Sequence, residues 1–305
     1  MLRQILRRLA AAVPTLFAVI LFTFLLMRLA PGGPFDSERP VDPHILQNLK
    51  RLYGLDRPLY EQFGLYLASL AHGDFGPSFR WRDFSVNELL AHALPVSLRL
   101  GSAALVLGVV IGPAFGVVAA TRRGAAGHLV RGFSFLAPAV PNFVVAPLFQ
   151  LVFGLMLKLL PVGGYDPDDW KTLVLPVVTL ALPQIAAIAR LSEAALHDVL
   201  AAPHIRTLRA FGLPSATINR HALRAAVLPV LSYLGPMAAN LLTGSVVVET
   251  VFGIPGLGRY FVVAALGRDY TLVMATVIVV ALIVILFNLA VDLLYAVADP
   301  RISHE

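Results

Sequence analysis

The hydrophobic positions of the chain gather in six apolar runs that are separated by polar stretches. Each run reaches roughly the 20 residues that a membrane-spanning helix requires. The pattern therefore predicts an all-α integral membrane protein with six transmembrane helices, and an even number of crossings returns both termini to one side. The runs are Leu9–Met27, Val96–Ala120, Gly132–Leu160, Thr172–Ala189, Pro229–Val248 and Thr271–Tyr295.

Basic residues indicate which side holds the termini. Arg3, Arg7 and Arg8 precede the first run, and short arginine-rich flanks stay in the cytoplasm. A secretory signal peptide also begins with basic residues, but this run is too long for one and no small-residue cleavage site follows it. We therefore expect a retained first helix and cytoplasmic termini.

The runs and loops divide the chain into four regions. Residues 1–30 form the first transmembrane helix. Residues 31–95 form a polar extracytoplasmic segment, because loops beyond about 60 residues escape the charge bias. Residues 96–298 form a five-helix core with a basic cytoplasmic loop at 190–229, and residues 299–305 form a cytoplasmic tail.

Polar residues within the runs are candidates to border a path across the membrane. The third run is interrupted at 138–142 by two prolines, which free backbone carbonyls and often mark a cavity. Asn142 and Gln150 then face that cavity, or the break is a simple kink whose amides bond to neighbouring helices. The fifth run adds Asn240 and Thr243, and Glu249 closes it.

The second run carries glycines at four-residue intervals, Gly108, Gly112 and Gly116. Such a stripe of small residues lets two helices approach closely. An approach of the backbone to a substrate is the alternative.

The basic loop at 190–229 has the pattern of a folded element. Pro203 suits a first helical position and Gly212 a helix stop, which predicts a short helix between them. Ile205, Leu208 and Phe211 fall on one side of that helix, away from its arginines. A compact helix with an apolar edge and a basic flank suits docking into a groove on a soluble partner. The alternative is a loop that only obeys the positive-inside rule.

Composition supports the membrane assignment. The chain is 58% hydrophobic and 14% charged, with a net charge of +6 and a mean hydropathy of +0.78. Its arginines flank apolar runs without interleaved aromatic residues, so we expect no nucleic-acid partner. The absence of cysteine excludes disulfides and thiol catalysis.

The sequence carries no chemistry that could drive transport or catalysis by itself. The apolar runs contain essentially no ionisable residues, unlike those of ion-coupled carriers. The glycine-rich string at 249–258 lacks the Lys-Ser/Thr ending of a phosphate-binding loop, and the acidic residues of loop 161–171 lack the spacing of an EF-hand. We therefore expect a non-catalytic subunit without a cofactor of its own, energised by another protein.

The triplet Glu193-Ala194-Ala195 is followed by Gly212 and by Leu228-Pro229. This pattern resembles the EAA signature of the permeases of bacterial ABC importers, and together with further strings it resembles in particular the first permease subunit of the dipeptide and oligopeptide branch. Gly33 departs from an aspartate found in many relatives, and Leu208 with Phe211 departs from Ala and Lys. Further similar strings are 53–58, 72–79, 205–214, 220–224 and 249–258.

The resemblance implies the architecture of a type I importer permease in the bacterial inner membrane. It implies a homologous second permease, two ATPases that bind ATP and magnesium, and an extracytoplasmic peptide-binding protein. Peptide, dipeptide, nickel, glutathione and antibiotic-peptide substrates stay open. The residues that it places at the coupling to the ATPase are Glu193, Ala194, Pro203, His204, Ile205, Arg206, Thr207, Arg209, Ala210, Gly212 and Leu213. A stand-alone carrier and an assembly scaffold are the rival functions.

Overall fold

A computed structural model describes residues 2–29, 32–33, 35, 43–81, 83–122 and 124–298, a few side chains excepted. The predicted tail at 299–305 lies outside the described residues. The described part is helical. Its α-helices are α1 Leu2–Leu29, α2 Pro43–Leu52, α3 Leu59–Ala71, α4 Val86–Thr121, α5 Ala125–Leu136, α6 Asn142–Phe149, α7 Lys171–Ala201, α8 Pro203–Ala210, α9 Ser215–Phe252, α10 Leu257–Leu266 and α11 Tyr270–Ala298.

The long helices match most of the apolar runs. Five helices in the described part are long and apolar enough to cross a membrane, and there are six candidates if one bent pair counts as a single span. That pair is the interrupted third run. Its halves, Ala125–Ala139 and Asn142–Met156, meet at 108° across the predicted break. The second half ends in a π-helix, Gln150–Met156, which the sequence did not predict.

The chain divides into two compact units. One is formed mainly by Leu98–Ile254 and the part of α11 from Val284 onward. Within it, α7 and α9 pack most extensively against each other. Most of the apolar stretch of α7 is buried. The other unit consists of Leu6–Ser97 and Pro255–Ile283.

The glycine stripe of α4 lies against α7 within the first unit. A Cβ atom on Gly112 would lie 2.7 Å from Cβ of Ile188, and one on Gly116 would lie 2.7 Å from the carbonyl oxygen of Ala189. Real Cβ atoms essentially never come this close, so only glycine allows the observed approach. The stripe is therefore a helix-packing surface, as the first of the two interpretations predicted.

A buried carboxylate organises the second unit. Asp269 is fully buried and precedes α11, where its Oδ1 accepts from the Leu272 amide at 3.2 Å and from Oγ1 of Thr271 at 3.0 Å. Its Oδ2 accepts from Oγ of Ser78 at 2.5 Å and from the Arg80 amide at 3.2 Å. One side chain thus caps a helix and fixes a segment that lies about 190 positions away in the sequence.

The basic loop is more helical than the hydrophobic pattern predicted. Helix α7 continues past Ala189 to Ala201, and α9 begins at Ser215 rather than near Pro229. Only Ala202 and 211–214 separate the three helices of this region. An apolar run marks only the part of a helix that lies in the hydrocarbon core of the membrane. It therefore underestimates the length of a helix that continues into water.

Candidate functional site: the coupling helix and the polar residues of the membrane helices

Helix α8 has the ends that the sequence predicted. Pro203 occupies its first turn, where a missing amide proton costs nothing. Gly212 adopts φ +74°, and its amide donates to the Arg209 carbonyl at 3.0 Å. The Leu213 amide donates to the Leu208 carbonyl at 3.3 Å, which closes the C-terminal turn.

The apolar side of α8 faces this chain's own helices. Ile205 has no exposed surface and packs in a cluster with residues of α7 and α9, among them Leu196 and Ile218. Leu208 packs against the same cluster, whereas Phe211 is 77% exposed. The prediction that Ile205, Leu208 and Phe211 form one apolar edge for docking to a partner is therefore wrong for the first two. Ile205 and Leu208 anchor α8 to α7 and α9 of the same chain, and of these three residues only Phe211 is exposed to solvent.

The other predicted coupling residues of α8 form its solvent-facing surface. Arg206 and Arg209 are exposed, together with Thr207, whose Oγ1 donates to the Pro203 carbonyl at 3.2 Å. The result is a basic face held in one orientation by the buried side. The remaining exposed members are Pro203, His204, Ala210 and Gly212, while Leu213 is half-buried.

Glu193 of the EAA triplet makes an internal ion pair. Its Oε1 accepts from Nε of Arg131 at 2.7 Å, and its side chain is only 18% exposed. Arg131 also donates from Nη2 to the carbonyl oxygen of Ala119 at 2.5 Å, so α4, α5 and α7 meet at one guanidinium. Ala194, the next residue in the sequence, is exposed. We call the ion pair of Glu193 with Arg131, together with the bond from Arg131 to Ala119, the Glu193 brace. Arg131 was not predicted as the partner of Glu193, because 62 positions separate the two residues in the sequence.

The two candidate amides of the third run have different surroundings. Gln150 donates from Nε2 to the carbonyl oxygen of Val162 at 2.8 Å and to that of Val251 at 3.2 Å, as in the kink interpretation. Asn142 is half-buried, and a Cβ on Gly244 of α9 would lie 3.3 Å from its Nδ2. Gln150 therefore links the start of the π-helix to loop 161–171 and to α9.

The three candidates of the fifth run lie along α9. Asn240 is exposed and Glu249 has no exposed surface. The side chain of Thr243 lies outside the part of the chain that the structure describes. Asn142 and Gln150 both lie against α9, the first near Gly244 and the second at the Val251 carbonyl.

One polar pair in the membrane helices was not among the predicted site residues. Tyr233 of α9 donates from its hydroxyl to Oε1 of Gln184 in α7 at 3.3 Å, and Gln184 is 7% exposed. The sequence signal that could have indicated this pair is a polar residue, Gln184, directly after Pro183 within the fourth apolar run. A hydrogen bond of this kind specifies the register of two apolar helices.

Long apolar helices joined by a short, internally anchored basic helix define an integral membrane protein with a folded polar element outside its spans. The chain belongs to the family of binding-protein-dependent transport system inner membrane components. Residues 112–304 match the model of that family, and residues 1–100 match the model of its N-terminal region.

Relatives of known name support this assignment over the full length. The chain is 48% identical to the oligopeptide transport system permease protein OppB of Salmonella typhimurium, with 100% of each chain covered. It is 40% identical to the dipeptide transport system permease protein DppB of Bacillus subtilis, covering 99% of this chain and 98% of that protein. A solved structure of the MetNI methionine ABC transporter, described as inward-facing, shares the fold with a TM-score of 0.57, at 20% identity over 69% of this chain and 96% of that one.

Proposed function

We propose that this chain is a permease subunit of an ATP-driven peptide importer. The full-length similarity to oligopeptide and dipeptide permeases supports peptides as the substrate class. The chain itself forms half of the translocation path and hydrolyses nothing. Its partners are a homologous second permease, two ATPases that carry ATP and magnesium, and an extracytoplasmic peptide-binding protein.

The proposed topology has six spans and both termini in the cytoplasm, with the bent pair α5–α6 counted as one crossing. Exposed arginines at Arg122, Arg190, Arg206 and Arg209 support a common cytoplasmic side for the α4–α5 turn and for α8. The acidic loop 161–171 then lies outside.

The observation that carries the proposal is the construction of α8. Its apolar side is fixed to α7 and α9, and its basic face with Phe211 is left to solvent. A force applied to that face by an ATPase therefore acts directly on two long membrane helices. In this mechanism Arg206, Thr207 and Arg209 contact the ATPase, with Phe211 as an apolar contact.

The brace at Glu193 completes the mechanical connection. Because Arg131 ties Glu193 of α7 to α5 and to the end of α4, a displacement of α8 moves these helices together. Asn142, Gln150, Asn240, Thr243 and Glu249 remain proposed residues of the translocation path. Gln150 and Glu249 would act there only after rearrangement, since one is bonded to two carbonyls and the other is buried.

The test is uptake of a labelled peptide by proteoliposomes that contain the complete importer. We expect uptake that needs ATP inside and the binding protein outside. Arg206→Ala with Arg209→Ala should abolish uptake and leave the purified permease as stable as the wild type. Uptake that persists without ATP or binding protein would instead support a carrier, and ATPase association without any uptake would support a scaffold.

A further inference from the structure

The exposed side of α9 at membrane depth is polar. Over residues 229–250, the described side chains of α9 are buried or half-buried except along one line. Neighbouring members of that line are three, four or seven positions apart, so they share one side of the helix. We call this line the α9 stripe. It consists of Pro229, Ser232, Pro236, Asn240, Val247 and Thr250.

The α9 stripe lacks the composition of a lipid-facing surface. On α4, the exposed side chains between residues 103 and 120 are Val106, Val110 and Ala114, all of them alkyl. The α9 stripe carries Val247 beside three hydrogen-bonding side chains and two prolines. Hydrocarbon offers no partner to hydroxyl and amide groups, so their transfer into lipid is unfavourable. We therefore expect a polar neighbour at the α9 stripe.

The polar groups of the α9 stripe act chiefly as hydrogen-bond acceptors. The hydroxyls of Ser232 and Thr250 donate their protons to backbone carbonyls of their own helix, at 3.2 and 2.7 Å, and their oxygens keep lone pairs that can accept. Pro236 has no amide proton, so the Ser232 carbonyl receives no hydrogen bond from the residue four positions on. Asn240 already interacts within this chain, but an amide side chain offers several hydrogen-bonding positions.

These acceptors favour a neighbour with free donors. A packed transmembrane helix has its backbone N–H groups bonded within itself, so its backbone cannot supply them. An extended peptide has free backbone N–H groups along its whole length, whatever its side chains are. The α9 stripe contains no ionisable residue, so it does not select by charge.

We propose that the α9 stripe borders an aqueous translocation path and accepts hydrogen bonds from the backbone N–H groups of the transported peptide. This inference rests on the proposed function and names what the chain recognises in its substrate. Of the earlier path candidates the α9 stripe includes Asn240, and it adds Ser232 and Thr250. Glu249 is not part of it, because that side chain has no exposed surface.

The spacing of the α9 stripe favours transient contacts. Positions four residues apart on a helix are separated by about 6 Å. The N–H groups along one edge of an extended peptide recur at about 6.7 Å. The two repeats match over a few hydrogen bonds and then drift apart, so a peptide is not held tightly. Transport requires such weak, repeated binding, because the substrate must leave as readily as it enters.

Thiol labelling tests whether the α9 stripe borders water. The chain has no cysteine, so Ser232→Cys, Asn240→Cys and Thr250→Cys can be labelled singly in an importer whose other subunits are also free of cysteine. The matched control is Val110→Cys on the alkyl face of α4. A charged, membrane-impermeant reagent attacks the thiolate, which an apolar environment disfavours. Gel filtration and basal ATPase activity establish that each variant is folded and assembled.

We expect the cysteines of the α9 stripe to react about 10-fold or more faster than Val110→Cys, with or without ATP, since a single unit of thiol pKa changes the thiolate fraction that much. A transported peptide, delivered by the binding protein, should slow their reaction. Rates as low as that of Val110→Cys would mean contact with lipid and would overturn the inference. Labelling that peptide does not slow, together with cross-linking to the second permease, would also overturn it, because the neighbour is then that subunit.

Peptide uptake tests recognition of the backbone. Ser232→Val and Thr250→Val each remove one side-chain acceptor, and Ser102→Val, at an exposed serine of α4, is the control. Each variant of the α9 stripe should slow uptake about 2–10-fold, equally for acidic, basic and neutral peptides. The loss should shrink for a peptide with methylated backbone nitrogens, because the donors are already missing. Ser102→Val should transport both peptides like the wild type.

The outcomes separate this inference from the proposed function. Wild-type uptake by Ser232→Val and Thr250→Val would overturn the inference, and so would a loss confined to charged peptides or equal for methylated and unmethylated ones. If the wild-type importer shows no ATP-dependent peptide uptake, the proposed function itself fails. Normal wild-type uptake with slow labelling of the α9 stripe refutes its place on the path alone.

Discussion

Replacing Ile205 with alanine should detach α8 from the membrane helices. The change removes three carbons from a side chain with no exposed surface, which costs about 2.4 kcal/mol in transfer free energy at ~0.8 kcal/mol per carbon. The cavity left behind adds to this, so buried Ile→Ala changes total about 2–5 kcal/mol. An eight-residue helix is too short to persist by itself, so it depends on this packing.

Tryptic cleavage of the purified permease measures the detachment. Arg206 and Arg209 are cleavage sites within α8, and a protease cuts only the opened helix. Because cleavage follows the open population when opening is fast, a loss of 2 kcal/mol accelerates it about 30-fold. The matched control is Phe211→Ala, which removes an exposed side chain and should change the cleavage rate little.

The two variants separate an inward anchor from an outward contact. Phe211→Ala should weaken association with the ATPase while the protease resistance of α8 is retained. If Ile205→Ala were cut at the wild-type rate and Phe211→Ala rapidly, the apolar side of α8 would not be anchored as described. The proposed mechanism would then lose its physical basis.

Three further changes test the packing and the brace. Glu193→Gln should leave Arg131 without a counter-charge and so lower the free energy of unfolding by about 1–3 kcal/mol. It should also reduce the amount of peptide transported per ATP hydrolysed, and an unchanged ratio would contradict the role of the Glu193–Arg131 pair. Gly112→Leu should prevent folding, seen as loss of the monodisperse peak in gel filtration, because its Cβ would overlap Ile188. Gly101→Leu should be tolerated, since apart from its chain neighbours and its own helix backbone no atom lies within 4 Å of its Cβ. Asp269→Ala should lower the thermal midpoint through a loss of about 2–3 kcal/mol, and an unshifted midpoint would argue against Asp269 as the organising carboxylate.

Local rules explain the features that the sequence predicted correctly. Proline at the start and glycine past the end of α8 act within one turn, so the ends of the helix follow from neighbouring residues. The break at 138–142 likewise follows from two prolines close together in the sequence, and the glycine stripe follows from the spacing of residues within α4.

The features that were missed depend on distant partners. Helical periodicity places Ile205 on an apolar side, but it does not say whether that side faces a partner protein or α7 and α9. The pair of Glu193 with Arg131, and that of Gln184 with Tyr233, joins different helices. Helix α10 was missed for a local reason instead, because the glycines of the 249–258 string indicated a turn more strongly than the residues that follow indicated a helix.

The inward anchoring of α8 separates two kinds of evolutionary change. In the proposed mechanism, substitutions on its solvent-facing surface change which ATPase the subunit binds without disturbing how the subunit folds. Substitutions on its buried side are constrained by the neighbouring helices, whichever ATPase is bound. If α8 contacts the ATPase as proposed, related importers can exchange or share ATPases through a few surface residues while the membrane helices stay the same.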